Sequence, residues 1–184
     1  MRTMIRSAAS AAAILLAVSV PAAGQATGLT ADFLKDIGEV EQKMVGLAKA
    51  MPEKAYGWKA GAARSTAEVL QHVTAENYFL PASLGVTVPA ATKINPGDYN
   101  TVQAYENRKA SRDEVIAELE KSFAHFKQAL ATVAPAQMSE EIKMFGQTFT
   151  KQRFLILTAT HLHEHLGQLI AYARANDIKP PWSN

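Results

Sequence analysis

Residues 161–168 read His161-Leu162-His163-Glu164-His165-Leu166-Gly167-Gln168. Around them, Phe154, Leu155, Leu157, Leu162, Leu166, Leu169 and Ile170 recur with helical rather than alternating spacing, and a helix is expected over Lys151–Ala175. Thr150 suits its start, Asn176 its end, and Pro180-Pro181 prevents it from resuming. Its apolar residues occupy more than one side, so this helix is expected at the centre of the fold. His161 and His165 are four residues apart and share one face, with Cβ atoms ~5–6 Å apart. That spacing lets two imidazoles grip one metal ion. A buried neutral imidazole must also find partners for its ring nitrogens, which backbone, water or a metal can supply. His163 points about 200° away from His161 and is expected on another surface.

Working outward, three more amphipathic helices are expected and no strand. The first spans Thr30–Met51, where Phe33, Ile37, Val40, Met44, Leu47 and Met51 recur at steps of three and four before Pro52. The second begins at Ser65-Thr66-Ala67-Glu68, a capping box, and runs to about Leu84, with Pro81 as a site of early termination or bending. Residues 85–110 form a connection long enough to act as a lid or to carry a short helix over Asn100–Tyr105. A second capping box, Ser111-Arg112-Asp113-Glu114, starts the third helix, whose apolar face is Ile116, Leu119, Phe123, Phe126 and Leu130. Residues 132–149 are a further connection. This all-α pattern predicts an up-down four-helix bundle.

His72, in Val69-Leu70-Gln71-His72-Val73, is the candidate third ligand if the second and last helices are neighbours. Three neutral nitrogens with a fourth position free form the open arrangement of a catalytic metal site. Glu76, one turn beyond His72, is the candidate proton acceptor, with outer partner or fourth ligand as alternative roles. Phe79 is expected to wall the site, and Gln168 and Tyr172 lie on the same face as His165. His125 shares a stripe with Glu118, Ser122 and Gln128 and is expected to be solvated. His161-x-x-Glu164-His165 also matches an inverted zinc-protease pattern. That chemistry needs a further acidic ligand downstream, and Asp177 is the single acid after His165.

The 184 residues fit one domain, and a hydrophobic share of 48% with 8% aromatics favours a helical core. Arg2 and Arg6 precede an uncharged run from Ala8 to Val20, then Pro21 and small residues. This is the three-part pattern of a secretory signal peptide over residues 1–24, with a cut after Gly24 or after Ala26. The run is shorter than the ~20 residues of a membrane span. The expected location is periplasmic or secreted, with residues 29–184 as the mature domain. The formal charge of +2 comes from 19 Lys+Arg against 17 Asp+Glu, so Arg2 and Arg6 account for the whole excess. A neutral mature domain has no electrostatic footprint for nucleic acid. The absence of cysteine excludes disulfides, thiolate ligands, a cysteine nucleophile and a lipid-bearing cysteine at the cut.

Several segments together resemble the DinB-like family of metal-binding four-helix bundles. They are Met51-Pro52-Glu53-Lys54-Ala55-Tyr56-Gly57-Trp58, Arg64-Ser65 leading to His72 and Asn77-Tyr78-Phe79, Ser111 to Phe123, and His161-x-x-x-His165-x-Gly167-Gln168-Leu169 with the tail Tyr172 to Pro181. The resemblance implies one divalent ion, zinc or nickel, on His72, His161 and His165. It also implies a small-molecule substrate and activities that include thiol-dependent S-transfer and isomerisation. The sequence therefore supports a metal-dependent hydrolase or thiol S-transferase as one reading. A non-catalytic bundle tied together by its metal is a second, and a helical module that forms a homodimer is a third.

Overall fold

The computed structural model describes residues 28–183, so the expected signal peptide and its cleavage region lie outside the described part. Leu29–Ala50 forms α1, and Ile37, Val40, Met44 and Leu47 bury one stripe of it. The chain then turns through the short helix α2, Glu53–Tyr56, where the Tyr56 hydroxyl donates to the Ala48 carbonyl at 2.9 Å. Helix α3 covers Thr66–Phe79. Its capping box is formed in both directions: Ser65 Oγ accepts from the Glu68 amide at 3.3 Å, and Glu68 Oε2 accepts from the Ser65 amide at 2.6 Å. Such a cap is worth about 1 kcal/mol and fixes where the helix begins.

The second predicted helix stops being α-helical at Phe79, taking the early termination expected at Pro81. Pro81 has no amide hydrogen for the α ladder, and Leu80–Leu84 tightens into a 3-10 turn that ends at Gly85, φ +82°. The long connection carries α4, Tyr99–Glu106, capped by the Asp98 side chain on the Asn100 amide at 3.0 Å. Helix α5 runs Arg112–Leu130 from the second capping box. Helix α6 runs Lys151–Ala175 and is capped by Thr150, whose hydroxyl accepts from the Arg153 amide at 3.1 Å.

The expectation of no strand is corrected. Glu141–Met144 (β1) and Gln147–Thr150 (β2) form an antiparallel hairpin in which Met144 pairs with Gln147. Its two turn residues, Phe145 and Gly146, have φ of +51° and +72°. Positive φ at both central residues is the pattern whose twist matches a tight hairpin.

Helix α1 packs on α5 and α6, and α3 packs on α4, α5 and α6. Phe123, Phe126 and Phe154 fill the shared core with Leu70, Leu119 and Leu162. The central helix is α3, not α6 as its apolar pattern suggested: every residue from Val69 to Tyr78 is buried, whereas α6 leaves Arg153, Glu164 and Arg174 exposed. Helix α3 is enclosed although it carries polar residues: His72, Thr74, Glu76 and Asn77 find partners, while Thr66 Oγ1 and Gln71 Oε1 are buried without one. Thr74 Oγ1 donates to the Leu70 carbonyl at 2.8 Å, and Asn77 Nδ2 donates to Ser122 Oγ on α5 at 3.2 Å. Among the described residues, no helix is long and apolar enough to cross a membrane.

Candidate metal centre

The docking of α3 against α6 brings His72, His161 and His165 together. His161 Nε2 lies 3.2 Å from His72 Nε2 and 3.1 Å from His165 Nε2. A tetrahedral ion with metal–nitrogen bonds of about 2.0–2.1 Å holds its ligand nitrogens roughly 3.3 Å apart. The cluster therefore has the dimensions of a three-histidine site.

The protonation of two of these rings follows from their outer partners. His72 Nδ1 lies 2.8 Å from Glu106 Oε1 on α4. A carboxylate only accepts, so this ring nitrogen carries the hydrogen and Nε2 presents a lone pair. On α6 the argument starts from a backbone carbonyl. The Arg64 carbonyl accepts from the Tyr172 hydroxyl at 2.9 Å, which leaves the Tyr172 oxygen to accept from Gln168 Nε2 at 2.7 Å. The amide orientation of Gln168 is thereby fixed, and its Oε1 faces His165 Nδ1 at 3.1 Å. His165 must donate there, so its Nε2 also presents a lone pair. His161 Nε2 stands between two acceptors and carries at most one hydrogen. With the His161 hydrogen on Nδ1, a cation answers all three lone pairs at once, and the donor set fits one.

Burial reinforces the neutral forms. It pulls the His161 pKa down to about 4, with help from the neighbouring imidazoles of His165 and His72. It also lowers His165, against the opposing hydrogen bond that His165 donates to Gln168.

Glu76 does not join the three imidazoles. It groups instead with His72 and Glu106, each offering a ligand atom within 4.8 Å of the others. Burial raises its carboxyl pKa, and the Tyr99 hydroxyl donates to Glu76 Oε1 at 3.3 Å. Phe79 stands one turn further along the same stripe of α3, its ring 5.7 Å from that of Tyr99. The Arg64 guanidinium reaches Glu106 at 3.7 Å with half of its side chain exposed.

Arg64, Tyr99 and Glu106 are the site residues that sequence reasoning missed. Glu106 lies 34 residues from His72, in a connection with no periodicity to orient it. The short helix expected over Asn100–Tyr105 was the one available signal, since it ends beside Glu106. Gln168 and Tyr172, expected on the ligand face, instead hold His165 from behind.

His163 lies on another surface, as expected, with Nε2 3.0 Å from Asp36 of α1. The solvated stripe expected at His125 is corrected. Ser122 is fully buried against Asn77, and His125 packs on Tyr78 at 5.6 Å with its Nε2 buried and unpartnered. The connection after α3 roofs this region through Pro89, Ala91 and Thr92, leaving a cavity of about 480 Å³.

The DinB superfamily model matches residues 37–169 of the chain. No curated protein matches the sequence. Among solved structures, a DinB-like protein of Bacillus cereus ATCC 10987 superposes with a TM-score of 0.66 at 14% identity, covering 83% of this chain and 95% of that one. A DinB-like protein of Bacillus subtilis gives 0.60 at 17%, covering 80% and 93%. The mycothiol-dependent maleylpyruvate isomerase gives 0.59 at 15%, covering 76% of this chain and 60% of the isomerase. These likenesses concern the fold.

Proposed function

Because the chain belongs to the DinB superfamily, we propose that it is an exported up-down four-helix bundle that holds one divalent ion, zinc or nickel, on His72, His161 and His165. We assign it a metal-dependent reaction of the hydrolase or thiol S-transferase type on a small-molecule substrate. The observation that carries this reading is the convergence of three Nε2 atoms, that of His161 lying 3.1–3.2 Å from the other two, whose tautomers are set by Glu106 and Gln168.

The chemistry that a divalent ion supplies in such a site is Lewis acidity toward water, a thiol or a carbonyl oxygen. The chain's own residues supply the rest. Glu76, one turn from His72, takes up a proton, and the Tyr99 hydroxyl holds its carboxylate in place. Arg64, half exposed beside the imidazoles, orients an anionic group. The separation of Glu76 from the three-imidazole group supports an open fourth position, which a catalytic site needs. A thiol co-reactant is the class named for the structurally similar isomerase. Export rests on the charged, apolar and small-residue pattern of residues 1–24.

The test is to express the full chain in an exporting host and purify it without chelator. The expected outcome is about one zinc or nickel per chain and a mature start at Gln25 or Thr27. His72→Ala and His161→Ala should each lose the metal together with turnover in hydrolysis and thiol-transfer assays. Turnover that persists in both variants would remove the catalytic role. Full metal content with no turnover would favour the second reading, a structural ion, which the bridging of two separate helices by His72 and His161 supports.

A further inference from the structure

Three aromatic rings from three separate segments meet beside the metal centre. Phe79 comes from the end of α3, Tyr99 from the start of α4 and Phe145 from the hairpin turn. The Phe79 ring lies 5.7 Å from both Tyr99 and Phe145, and Tyr99 lies 6.1 Å from Phe145. All three separations fall within aromatic contact.

Phe145 touches the Phe79 and Tyr99 rings yet stays largely open to solvent. Its side chain is 56% exposed, and its backbone sits at φ +51°. Both features run against a bulky apolar residue, for which asparagine or glycine is the ordinary choice in such a turn. Tyr99 is also exposed, at 43%. A strained and solvent-facing phenylalanine points to a role in contact with something outside the chain.

The cluster is continuous with the metal centre. The Tyr99 hydroxyl is bonded to Glu76. His72, Glu76 and Phe79 follow one another at steps of four and three along one stripe of α3, so Phe79 stands about 10 Å along the helix from the ligand. Beside Phe79 and Phe145 opens a cleft of about 190 Å³, walled mainly by apolar Leu80, Pro96 and Met144, with Ser83 and Lys143 also lining it. An apolar cavity of about 150 Å³ holds one benzene ring.

We propose that Phe79, Tyr99 and Phe145 form an apolar subsite, so that the substrate carries an aromatic or branched apolar arm about 10 Å from the atom that meets the three histidines. This rests on the proposed metal centre, and the experiment separates the two.

The zinc-loaded chain is titrated calorimetrically with acetohydroxamate and with phenylbutyrohydroxamate, which share one metal-binding head and differ by the ring-bearing arm. The phenyl compound should bind at least about tenfold more tightly. Phe145→Ala, whose side chain supports no core, should reduce that advantage to about twofold or less while leaving zinc content and acetohydroxamate affinity unchanged. Equal affinities in the parent chain, or an advantage retained in Phe145→Ala, would overturn the subsite. If zinc fails to load, the metal reading falls alone. The subsite is then judged on the metal-free chain by the ring resonances of Phe79, Tyr99 and Phe145 on adding phenylbutyrate, where shifts support it and their absence overturns it. A dimer that dissociates in Phe145→Ala would overturn it as well, by giving the patch to a second copy of the chain.

Discussion

Toward α6, helix α3 turns His72 to two imidazoles, with the three Nε2 atoms facing one another. Toward α5, it turns Tyr78 to a cluster that closes on itself: the Tyr78 and Tyr105 hydroxyls donate to Glu118 Oε2 at 3.4 and 3.1 Å, and Lys121 reaches Glu118 Oε1 at 2.8 Å. Against the cost of burial, these hydrogen bonds from Lys121, Tyr105 and Tyr78 hold the Glu118 carboxyl below its usual range. Arg108 lies 3.8 Å over the Tyr105 ring. In this second cluster, the Tyr78, Tyr105 and Lys121 donors meet their acceptor, Glu118, within the protein, while Arg108 Nη2 and His125 Nε2 stay unpartnered. In the first, His161 Nε2 faces two acceptors and can satisfy at most one of them with a hydrogen, which leaves a lone pair for a cation. Both clusters are polar and enclosed, so burial alone does not distinguish a site that awaits a ligand. The direction of each hydrogen bond does.

The contrast is broken most severely by removing an imidazole. His161→Ala should weaken zinc affinity by more than about a hundredfold and leave metal near zero after purification, whereas His125→Ala should leave metal content unchanged by elemental analysis. Next come the groups that set the tautomers. Glu106→Gln should cost about 10–100-fold in metal affinity, and Tyr172→Phe should cost less, both read by competition with a chromophoric chelator.

A smaller effect concerns pH. In the folded, metal-stripped chain His161 takes a proton only near pH 4, whereas the unfolded chain takes it near 6.5. Between those values the unfolded state binds more protons, so this residue's contribution to stability falls as the pH is lowered through that window. Urea midpoints should follow that slope in the parent chain and show a shallower one in His161→Gln. The smallest effect belongs to the closed cluster. Tyr105→Phe removes one hydrogen bond and should cost about 1 kcal/mol in urea unfolding, with metal binding untouched.

The helices were legible because their signals are local. The capping boxes at Ser65 and Ser111 and the three-and-four spacing from Ile37 to Leu47 act within a few residues. The hairpin was not legible. Its strands are four residues each, and Phe145-Gly146 lacks the asparagine or aspartate that usually announces so tight a turn. The central position of α3 was hidden for a different reason. Its Gln71, Thr74, Glu76 and Asn77 suggest an exposed face, yet all four are interior: Glu76 and Asn77 meet partners on α4 and α5, and Thr74 bonds back to its own helix. At the site, the His161–His165 pair was visible in its spacing. Glu106 and Tyr99 were not, because their positions depend on how a 26-residue connection, 85–110, folds back over α3, and Arg64 was not because it lies in the aperiodic turn just before the α3 cap.

His72 and His161 are 89 residues apart in the chain, yet their ring nitrogens nearly touch. An ion gripped by both would act as a clasp across two helices that no covalent bond joins. Helix α6 could not peel away from α3 without giving up a coordination bond, so zinc should slow spontaneous opening more than it hastens collapse. Resistance to proteases would then track metal supply, and a chain in a metal-poor surrounding would be the first to be cleared.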